Sequence, residues 1–535
     1  MLRHLPLRPV LPLLAASTLC GIAGSLGTVF LLAVIGQVLN GRLHFGPDAA
    51  TGFMALALLS ASGSGLSDIL TNMTGQKITA AVRIDLARRM LTAPLAALEK
   101  LGRQGLLPIL GGDVDMISDL AFALGAISVA AGITIGCLIY LAFLSLPLFL
   151  WLLPILLIGG FIQFRARSRG IKGFWAGRAA EDRLHGHYRT IIDGARELRL
   201  DRRRRSRIFQ REVVPAAQEV RKVTGRAIAF FVGANALGTL LLFAFVTLVL
   251  THPAMLPRDR MTSFILVLLF MKGPIDQMMH NLPVLGRAQV AIRRIADLSA
   301  RFTSFEPNVS LTQEQDETVA VPARITLDGM GFDYPKVAGA APFSVGPVNL
   351  SLQRGEIVFI VGENGSGKTS LIKLLLGLME PDQGQILVDG VPVTHETRDE
   401  YRQLFHTIFS DFHLFEDGPP PMQGAALNRW LERLDLAHKV SVKDGVFTTT
   451  DLSTGQRKRL ALVQAIFTKR PIMVFDEWAA DQDPSFRRTF YTEILPELAA
   501  QGATVIVISH DDRYFHVANR LITMENGRII ESVGA

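Results

Sequence analysis

Residues 357–369 read Ile-Val-Phe-Ile-Val-Gly-Glu-Asn-Gly-Ser-Gly-Lys-Thr. The first five are apolar and mostly β-branched, which predicts a buried strand. The glycine-rich turn follows at once, and residues 370–376 have the composition of a helix. A strand, G-x-x-x-x-G-K-[ST] and a helix in this order close backbone N–H groups around phosphate at a helix N-terminus. The stretch therefore predicts a phosphate-binding loop in an α/β domain.

A second apolar run, 472–475, leads directly into Asp476 and Glu477. ATPases with this loop hold Mg²⁺ partly through an acid at the end of a second strand. We therefore expect Asp476 and Thr369 to ligate Mg²⁺, Lys368 to hold the β/γ-phosphates, and Glu477 to polarise the attacking water. The alternative is a solvated acidic turn after an edge strand.

Further residues resemble the ATP-binding cassette (ABC) family. Leu452-Ser-Thr-Gly-Gln456 is similar to its signature peptide and lies about 20 residues before the two acids, as in that family. Tyr334 resembles the aromatic residue that stacks on adenine, Asp483 the acid of the D-loop, and His510 the switch histidine. With six spans upstream, the resemblance to ABC exporters covers nearly the whole chain.

This resemblance implies a homodimer in which each site combines one chain's phosphate loop with the other chain's signature peptide. It implies ATP and Mg²⁺ as cofactors and gives Glu477 and His510 catalytic roles. The residues it assigns to ATP are Tyr334, Gly362, Glu363, Asn364, Gly365, Ser366, Gly367, Lys368, Thr369, Ser370, Ser453, Gly455, Gln456 and Asp483.

Two positions depart from the usual family pattern. Ser410 stands where most members have a glutamine near Mg²⁺, so we expect a metal contact there to be weakened. Trp478 stands where most have proline, and we expect it to pack near the catalytic strand end; a nucleotide contact is the alternative. Residues 409–415, 476–484 and 508–515 together resemble the cyclic-peptide exporter branch, which includes syringomycin- and pyoverdine-type transporters.

The N-terminal half has a different composition. The chain is 49 % hydrophobic and only 19 % charged, whereas soluble domains carry about 25 % charge. Apolar stretches long enough to span a bilayer, about 20 residues each, recur before residue 300. We predict six spans, at about 10–39, 51–75, 119–143, 146–165, 226–251 and 261–283. The expected organisation is an all-α six-helix transmembrane domain (1–300), a linker (301–322) and an α/β P-loop ABC nucleotide-binding domain (323–535).

The net charge of +7 has a local origin. Residues 165–226 hold 18 basic and 7 acidic side chains, between two apolar spans. The positive-inside rule accounts for this excess and makes the loops 76–118 and 166–225 cytoplasmic. We therefore expect an inner-membrane protein surrounded by lipid, with its ATP-binding domain in the cytoplasm and no nucleic acid partner.

Polar residues inside the second and sixth spans have two interpretations. Ionisable groups in hydrocarbon usually face a cavity, which assigns Asp68, Asn72, Asp276 and His280 to a cargo site. Alternatively, small polar residues pack helices together, and the sixth span simply emerges into the cytoplasm.

The predicted function is ATP-driven export of a peptide-like natural product, with a cyclic or non-ribosomal peptide and a siderophore or its precursor among the candidates. The alternatives are a multidrug or lipid exporter, a siderophore importer on the exporter fold, and a membrane-bound ATPase that regulates a partner without moving cargo of its own.

Overall fold

The chain folds as two compact units. The computed structural model describes residues 11–44, 46–99, 106, 109–251, 258–302, 306, 309, 311, 320–334, 343–418 and 424–534. One unit comprises Met1–Met90 and Leu101–Thr303, and the other comprises Leu91–Lys100 and Ser304–Ala535. Most of the predicted linker lies outside the described residues. The predicted domain limits stay a prediction, and the structure adds that Leu91–Lys100 belongs to the second unit.

The first unit is helical, as the sequence predicts. Its helices are α1 Leu11–Leu39, α2 Pro47–Thr92, α3 Val114–Leu144, α4 Leu146–Asp193, α5 Ala195–Leu200, α6 Arg202–Arg207, α7 Val214–Thr251 and α8 Arg258–Arg301. Helices α2 and α4 continue well beyond the predicted spans, so much of the polar loops 76–118 and 166–225 is helix. The charged side chains of these segments lower the local hydropathy, which ended the predicted spans, but they do not interrupt the helix.

Five helical stretches of the described chain are long and apolar enough to cross a membrane by length and composition. They are Leu11–Leu39, Pro47–Thr92, Ile109–Leu144, Leu146–Asp193 and Arg202–Thr251. Helix α8, which contains the predicted span 261–283, is not among them. Two prolines, Pro274 and Pro283, lie inside α8. The membrane crossing of α8 stays a prediction.

Small and hydroxyl side chains hold α1 against α2. A Cβ atom on Gly24 would lie 2.6 Å from the backbone nitrogen of Ser64, so only glycine allows this approach. Ser17 Oγ lies 2.5 Å from Thr71 Oγ1 and 3.1 Å from the Ser67 carbonyl oxygen, which accepts its hydrogen bond. The packing interpretation therefore holds for Ser67 and Thr71 of the second span.

The second unit combines two sheets with helices. Its strands are β1 Arg324–Asp333, β2 Ser344–Gln353, β3 Ile357–Val361, β4 Gln383–Val388, β5 Val391–Pro392, β6 Phe405–Ile408, β7 Val442–Lys443, β8 Val446–Phe447, β9 Ile472–Asp476, β10 Thr504–Ile508, β11 Arg520–Glu525 and β12 Arg528–Gly534. Its helices are α9 Lys368–Leu375, α10 Arg398–Arg402, α11 Gly424–Arg433, α12 Thr454–Thr468, α13 Pro484–Thr489 and α14 Leu495–Ala500.

The order of the six-stranded sheet positions the functional residues. It runs β12-β11-β3-β10-β9-β6, and all neighbours from β11 to β6 are parallel. Strands β3, β9 and β10 are almost completely buried, which explains their continuous apolar sequences. Because parallel strands end at one edge, the residues that follow β3, β6, β9 and β10 meet there. The predicted α/β fold of this unit is confirmed.

Candidate functional site

The phosphate loop connects β3 to α9 through glycines. Gly362, Gly365 and Gly367 have φ angles of 147°, 82° and 101°. A Cβ atom on Gly362 would lie 2.2 Å from the Met524 carbonyl oxygen, so a larger residue does not fit. Glu363, Asn364 and Ser366 complete the loop, and α9 begins at Lys368. The Ser366 hydroxyl is buried without a hydrogen-bond partner. Loop and helix thus have the geometry that phosphate binding requires.

Lys368 is enclosed by its own loop. Its Nζ donates hydrogen bonds to the carbonyl oxygens of Gly362 and Glu363, both at 2.8 Å, and the residue is only 6 % exposed. Burial lowers the pKa of Lys368, while the charges of Glu477 and Asp476 act in the opposite direction. The ammonium group therefore lies at the loop and in the field of the two acids.

Tyr334 lies beside the start of α9. Its hydroxyl is 2.8 Å from Ser370 Oγ, and its ring makes an edge contact with Phe332 at 5.1 Å between centroids. The structure thus brings the predicted adenine-stacking ring next to the phosphate loop. Thr369, by contrast, is exposed on the first turn of α9.

Asp476 ends β9 as a buried carboxyl group, 2 % exposed. Its Oδ2 has no hydrogen-bond partner. Burial raises the pKa of Asp476, the charge of Glu477 adds to this effect, and a hydrogen bond from the Ser410 backbone N–H opposes it. An unpaired buried carboxylate oxygen needs a cation or a proton beside it.

The donor set at this edge fits Mg²⁺. The free oxygen of Asp476 and the exposed hydroxyl of Thr369 are hard oxygen ligands, which Mg²⁺ prefers. The described residues contain no cluster of three or more His, Cys, Asp or Glu residues able to hold a metal alone. A site with one carboxylate suits an ion that takes its other ligands from phosphates and water.

Glu477 and His510 meet at the ends of β9 and β10. Glu477 Oε1 lies 3.2 Å from His510 Nε2, and both side chains are partly exposed. Glu477 has a φ angle of 51°, a left-handed conformation that is uncommon for residues with a side chain. Its backbone N–H donates to the Ile508 carbonyl oxygen at 3.1 Å, which ties the two strand ends together. The carboxylate can thus accept a proton with the imidazole in contact.

Trp478 is a core residue and is 1 % exposed. Its indole stacks on Phe490 with 4.2 Å between ring centroids, and its Nε1–H donates to the Lys458 carbonyl oxygen at 2.8 Å. The prediction that Trp478 packs at the catalytic strand end is confirmed. A nucleotide contact would require surface that this buried ring does not have.

The signature residues stabilise the start of α12. Ser453 is its N-cap, and its backbone N–H donates to Gln456 Oε1 at 3.3 Å in a capping box. Gly455 accepts a hydrogen bond from Gln482 at 3.0 Å. Among the described residues, no hydrogen bond joins these signature residues to the phosphate loop of the same chain.

Asp483 is the N-cap of α13. It accepts hydrogen bonds from the Phe486 backbone N–H at 3.0 Å and from the Ser485 hydroxyl at 2.6 Å. The Ser485 hydroxyl is the main reason that the pKa of Asp483 lies below its usual value. Within one chain its function is helix capping, and a contact with nucleotide stays a prediction.

One site residue was not predicted from the sequence. Lys458, in α12, is buried, and its Nζ donates to the Glu477 carbonyl oxygen at 3.0 Å and pairs with Asp481 at 2.8 Å. Its position in a basic run, Arg457-Lys458-Arg459, is typical of an exposed helix face. No local pattern indicated that it turns inward.

The residues assigned to cargo lie on two helices. Asp68 and Asn72 are exposed on α2. On α8, Asp276 forms an ion pair with Lys272, and His280 Nδ1 lies 2.7 Å from the Asp276 carbonyl oxygen. In the described part of the chain no hydrogen bond or ion pair connects the two groups. Asp276 is thus not a free anion, contrary to what a cation-binding role assumes.

The position of Ser410 leads to a testable prediction. Its side chain is exposed, and its contact with Asp476 is made by the backbone N–H, which any residue except proline supplies. We expect Ser410→Gln to keep ATP hydrolysis within about threefold, whereas Asp476→Asn lowers it about 100-fold through loss of a preorganised charge. Steady-state phosphate release from the purified protein measures both. Equal losses in the two variants would refute the distinction.

Comparisons with known proteins agree with this geometry. Residues 345–480 match the family model described as ABC transporter, and residues 13–200 match the ABC transporter transmembrane region. The chain is 32 % identical over 532 residues to the ATP-binding protein SyrD of Pseudomonas syringae pv. syringae, covering 96 % of this chain and 93 % of SyrD.

Two further comparisons are more limited. The ATP-dependent lipid A-core flippase of Burkholderia orbicola is 32 % identical over 222 residues, which is 39 % of this chain and 36 % of the flippase. The solved structure of a bacterial Atm1-family ABC exporter with ATP bound has a TM-score of 0.76 at 18 % identity. It covers 99 % of this chain and 96 % of that chain, so the fold is shared over the full length. The chain belongs to the ABC transporter family, as an exporter half-transporter that joins a helical membrane domain to one ATP-hydrolysing domain.

Proposed function

We propose that the protein is a homodimer in the inner membrane that exports a peptide-like natural product, with its ATP-binding domains in the cytoplasm. The observation that carries this proposal is the similarity to SyrD from end to end, together with the three sequence blocks that resemble the cyclic-peptide exporter branch. The similarity to a lipid A-core flippase covers only 39 % of the chain, so it supports a lipid cargo less strongly than the similarity to SyrD supports a peptide cargo.

In this proposal the phosphate loop binds ATP, and residues that follow β9 and β10 catalyse its hydrolysis. The loop N–H groups and Lys368 hold the β/γ-phosphates, and the Tyr334 ring stacks on adenine. Glu477 accepts a proton from the attacking water, and His510, 3.2 Å away, stabilises the carboxylate in that position. Asp476 and Thr369 hold Mg²⁺, which when bound offsets negative charge on the phosphates.

The signature peptide serves the second ATP site. Ser453 is the N-cap of α12, and the N-terminus of a helix is a region of positive potential. The resemblance to ABC exporters implies that these residues act on ATP held by a second copy of the chain, and we adopt that assignment here. In each site ATP would then contact Lys368 of one protomer and Ser453 of the partner subunit.

Contacts within the second unit support the proposal that hydrolysis is coupled to the membrane helices. Leu91–Lys100, which begins with the last two residues of α2, belongs to this unit, and Glu99 pairs there with Lys373 of α9 at 2.8 Å. Arg402 forms an ion pair with Glu306, and the Glu306 backbone N–H donates to the Thr92 carbonyl oxygen at 3.0 Å. Movement of α9 on ATP binding would therefore reach two segments that are continuous in sequence with membrane-domain helices, the one after α2 and the one after α8.

The connections proposed to lie outside the cytoplasm are short, which supports export over import. Helices α1 and α2 are joined by residues 40–46, and α3 and α4 by Ser145 alone. Such loops offer little surface on which an external cargo-delivery protein could dock.

The proposed cargo contacts suit an amphipathic peptide. Asp68, Asn72, Asp276 and His280 supply carboxylate, amide and imidazole groups, and a bilayer-embedded polar group is usually functional. Because Asp276 is already paired with Lys272, a cationic group of the cargo would have to compete with that ammonium group. A cargo with both charged and hydrogen-bonding groups meets this condition better than an inorganic ion does.

The dimeric arrangement predicts the behaviour of mixed dimers. A dimer of one Lys368→Ala chain with one Ser453→Arg chain keeps one complete site, whereas each homodimeric variant keeps none. We expect the mixed dimer to hydrolyse ATP at about half the wild-type rate if the sites act independently. Two affinity tags allow its purification before the phosphate-release assay. A mixed dimer no more active than either homodimer would argue against one complete site acting independently.

A regulator without cargo is the alternative from another functional class. Reconstitution of the purified protein into liposomes, with extracts of peptide products added, separates the two. Cargo raises ATP hydrolysis in a transporter, and ATP drives the peptide to the opposite side of the bilayer. Hydrolysis that responds only to an added protein would favour the regulator.

A further inference from the structure

We propose, resting on the proposed role of Glu477, that Lys458 is a positioning residue for hydrolysis that holds the catalytic carboxylate of its own chain in place. Lys458 lies on α12, the helix that starts with the signature peptide. Its ammonium group instead reaches the end of β9, where Glu477 lies. This assignment gives a role to a buried cation that the phosphate loop, the signature peptide and the metal site leave unexplained.

Both ends of Lys458 are fixed. At the side-chain end, Nζ donates to the Glu477 carbonyl oxygen at 3.0 Å and pairs with Asp481 Oδ2 at 2.8 Å, and the side chain is only 3 % exposed. At the backbone end, its carbonyl oxygen accepts the indole N–H of Trp478 at 2.8 Å. Trp478 is itself fixed by stacking on Phe490. The ammonium group therefore has little freedom to move away from Glu477.

The backbone of Glu477 needs such support. Its φ angle of 51° is disfavoured for a residue with a Cβ atom and persists only where neighbouring groups impose it. The Ile508 carbonyl accepts the Glu477 N–H, and the Ala480 N–H donates to the Glu477 carbonyl at a long 3.3 Å. The Lys458 ammonium adds a charge-assisted bond to that same carbonyl, which is stronger than a neutral one. The carboxylate is therefore aimed at His510 by a backbone conformation that Lys458 helps to impose.

A buried ammonium group is costly, because desolvation penalises the charge unless oxygen atoms surround it. Asp481 supplies the opposite charge, but a neutral side chain would fill the same volume without that cost. The simplest alternative is a purely structural ion pair that fixes the turn at Trp478–Asp481 and has no influence on Glu477.

The first experiment compares Lys458→Met with Lys458→Gln in the full-length protein. Methionine keeps an unbranched apolar side chain, one atom shorter than lysine, and removes the donor, whereas glutamine keeps an N–H donor without the charge. We expect Lys458→Met to lower kcat for ATP about 10- to 100-fold, the range for a displaced catalytic group, with KM for ATP within about twofold. Lys458→Gln should keep more of the rate. Lys443→Met, at an exposed lysine of β7, is the matched control and should retain wild-type kcat.

An unchanged kcat in Lys458→Met would overturn the proposal, as would a rise in KM with kcat preserved. Thermal unfolding of each variant shows whether the protein folds. If Lys458→Met does not fold, Asp481→Asn takes its place. Asp481 is half exposed, so its loss weakens the hold on the ammonium group without opening a cavity. It should lower kcat several-fold at constant KM, and no effect on kcat would contradict the proposal.

Mixed dimers decide which site Lys458 serves. In a dimer with Lys368→Ala in one chain, only the other chain's Glu477 works, and the Lys368→Ala chain supplies the signature peptide. We expect Lys458→Met to reduce hydrolysis when placed in the chain with the intact loop and to have little effect in the Lys368→Ala chain. The reverse pattern, or equal losses, would overturn the proposal. If the dimer with Lys368→Ala in one chain is inactive even without a change at Lys458, the two sites do not act independently. The comparison of kcat and KM in the homodimeric Lys458 variants then decides the role of Lys458.

Discussion

Glu477→Gln should lower ATP hydrolysis by a factor of about 10²–10⁴ and leave ATP binding intact, because glutamine keeps the shape of the side chain but cannot accept a proton. The loop contacts with phosphate do not involve the Glu477 side chain. Turnover of the full-length protein in lipid, together with equilibrium binding of a fluorescent ATP analogue, measures the two effects separately.

Two variants make this comparison specific. Lys368→Ala should weaken binding as well as hydrolysis, because the ammonium group lies inside the phosphate loop. Asp512→Asn removes an exposed acid two residues beyond His510 and should leave both quantities near the wild-type values. Near-wild-type turnover in Glu477→Gln would exclude its role as the base.

Trp478→Ala should have the largest effect on stability, a loss of about 3–5 kcal/mol in the free energy of unfolding, as found for truncation of buried aromatic residues. The indole is 1 % exposed, stacks on Phe490 and donates to Lys458. For a unit of this size the loss corresponds to a fall in Tm of about 10 °C. Thermal unfolding of the detergent-solubilised protein measures it.

Trp430 provides the matched control, because it is only partly buried on α11 and contacts Arg433 at 4.8 Å from its ring centroid. Trp430→Ala should cost clearly less than Trp478→Ala. Trp478→Phe keeps an aromatic ring but loses one hydrogen bond and leaves a small cavity, so its cost should lie between about 1 kcal/mol and the cost of Trp478→Ala. If Trp478→Ala unfolds at the wild-type temperature, the tryptophan does not have the structural role assigned to it.

The sequence predicted the parts of the site that local pattern determines. The apolar run before Gly362 and the run before Asp476 are strands as expected, because continuous burial selects apolar, mostly β-branched residues. The order of the strands then brings the residues after β3, β9 and β10 to one edge. That convergence was expected from the family resemblance, since strand order cannot be read from residues far apart in the chain.

Other contacts depend on tertiary packing and were missed. Trp478 and Lys458 are 20 positions apart, and nothing in either segment indicates that an indole N–H meets a helix carbonyl. The ion pair of Lys272 with Asp276, in contrast, follows the i,i+4 spacing of a helix and was predictable. Neither interpretation of the sixth span, as part of a cargo site or as a helix that emerges into the cytoplasm, took that spacing into account.

Ser67 and Thr71 show that composition alone does not predict which polar residues of a span are buried. Both belong to the polar set of the second span, and both are buried against α1, while Asp68 between them is exposed. Composition gives the same weight to all three, but the helix turn places them on different faces. The proposed cargo surface is therefore restricted to the residues that do not hold helices together.

Mass spectrometry of cells and medium tests the central claim of ATP-driven peptide export most directly. The comparison is between the native strain and a strain whose chromosomal gene carries Glu477→Gln, which keeps the protein in the membrane and stops its hydrolysis. We predict that a cyclic or non-ribosomal peptide accumulates inside the variant cells and disappears from the medium. An unchanged secreted peptide profile, with uptake of a ferric siderophore lost instead, would contradict the account.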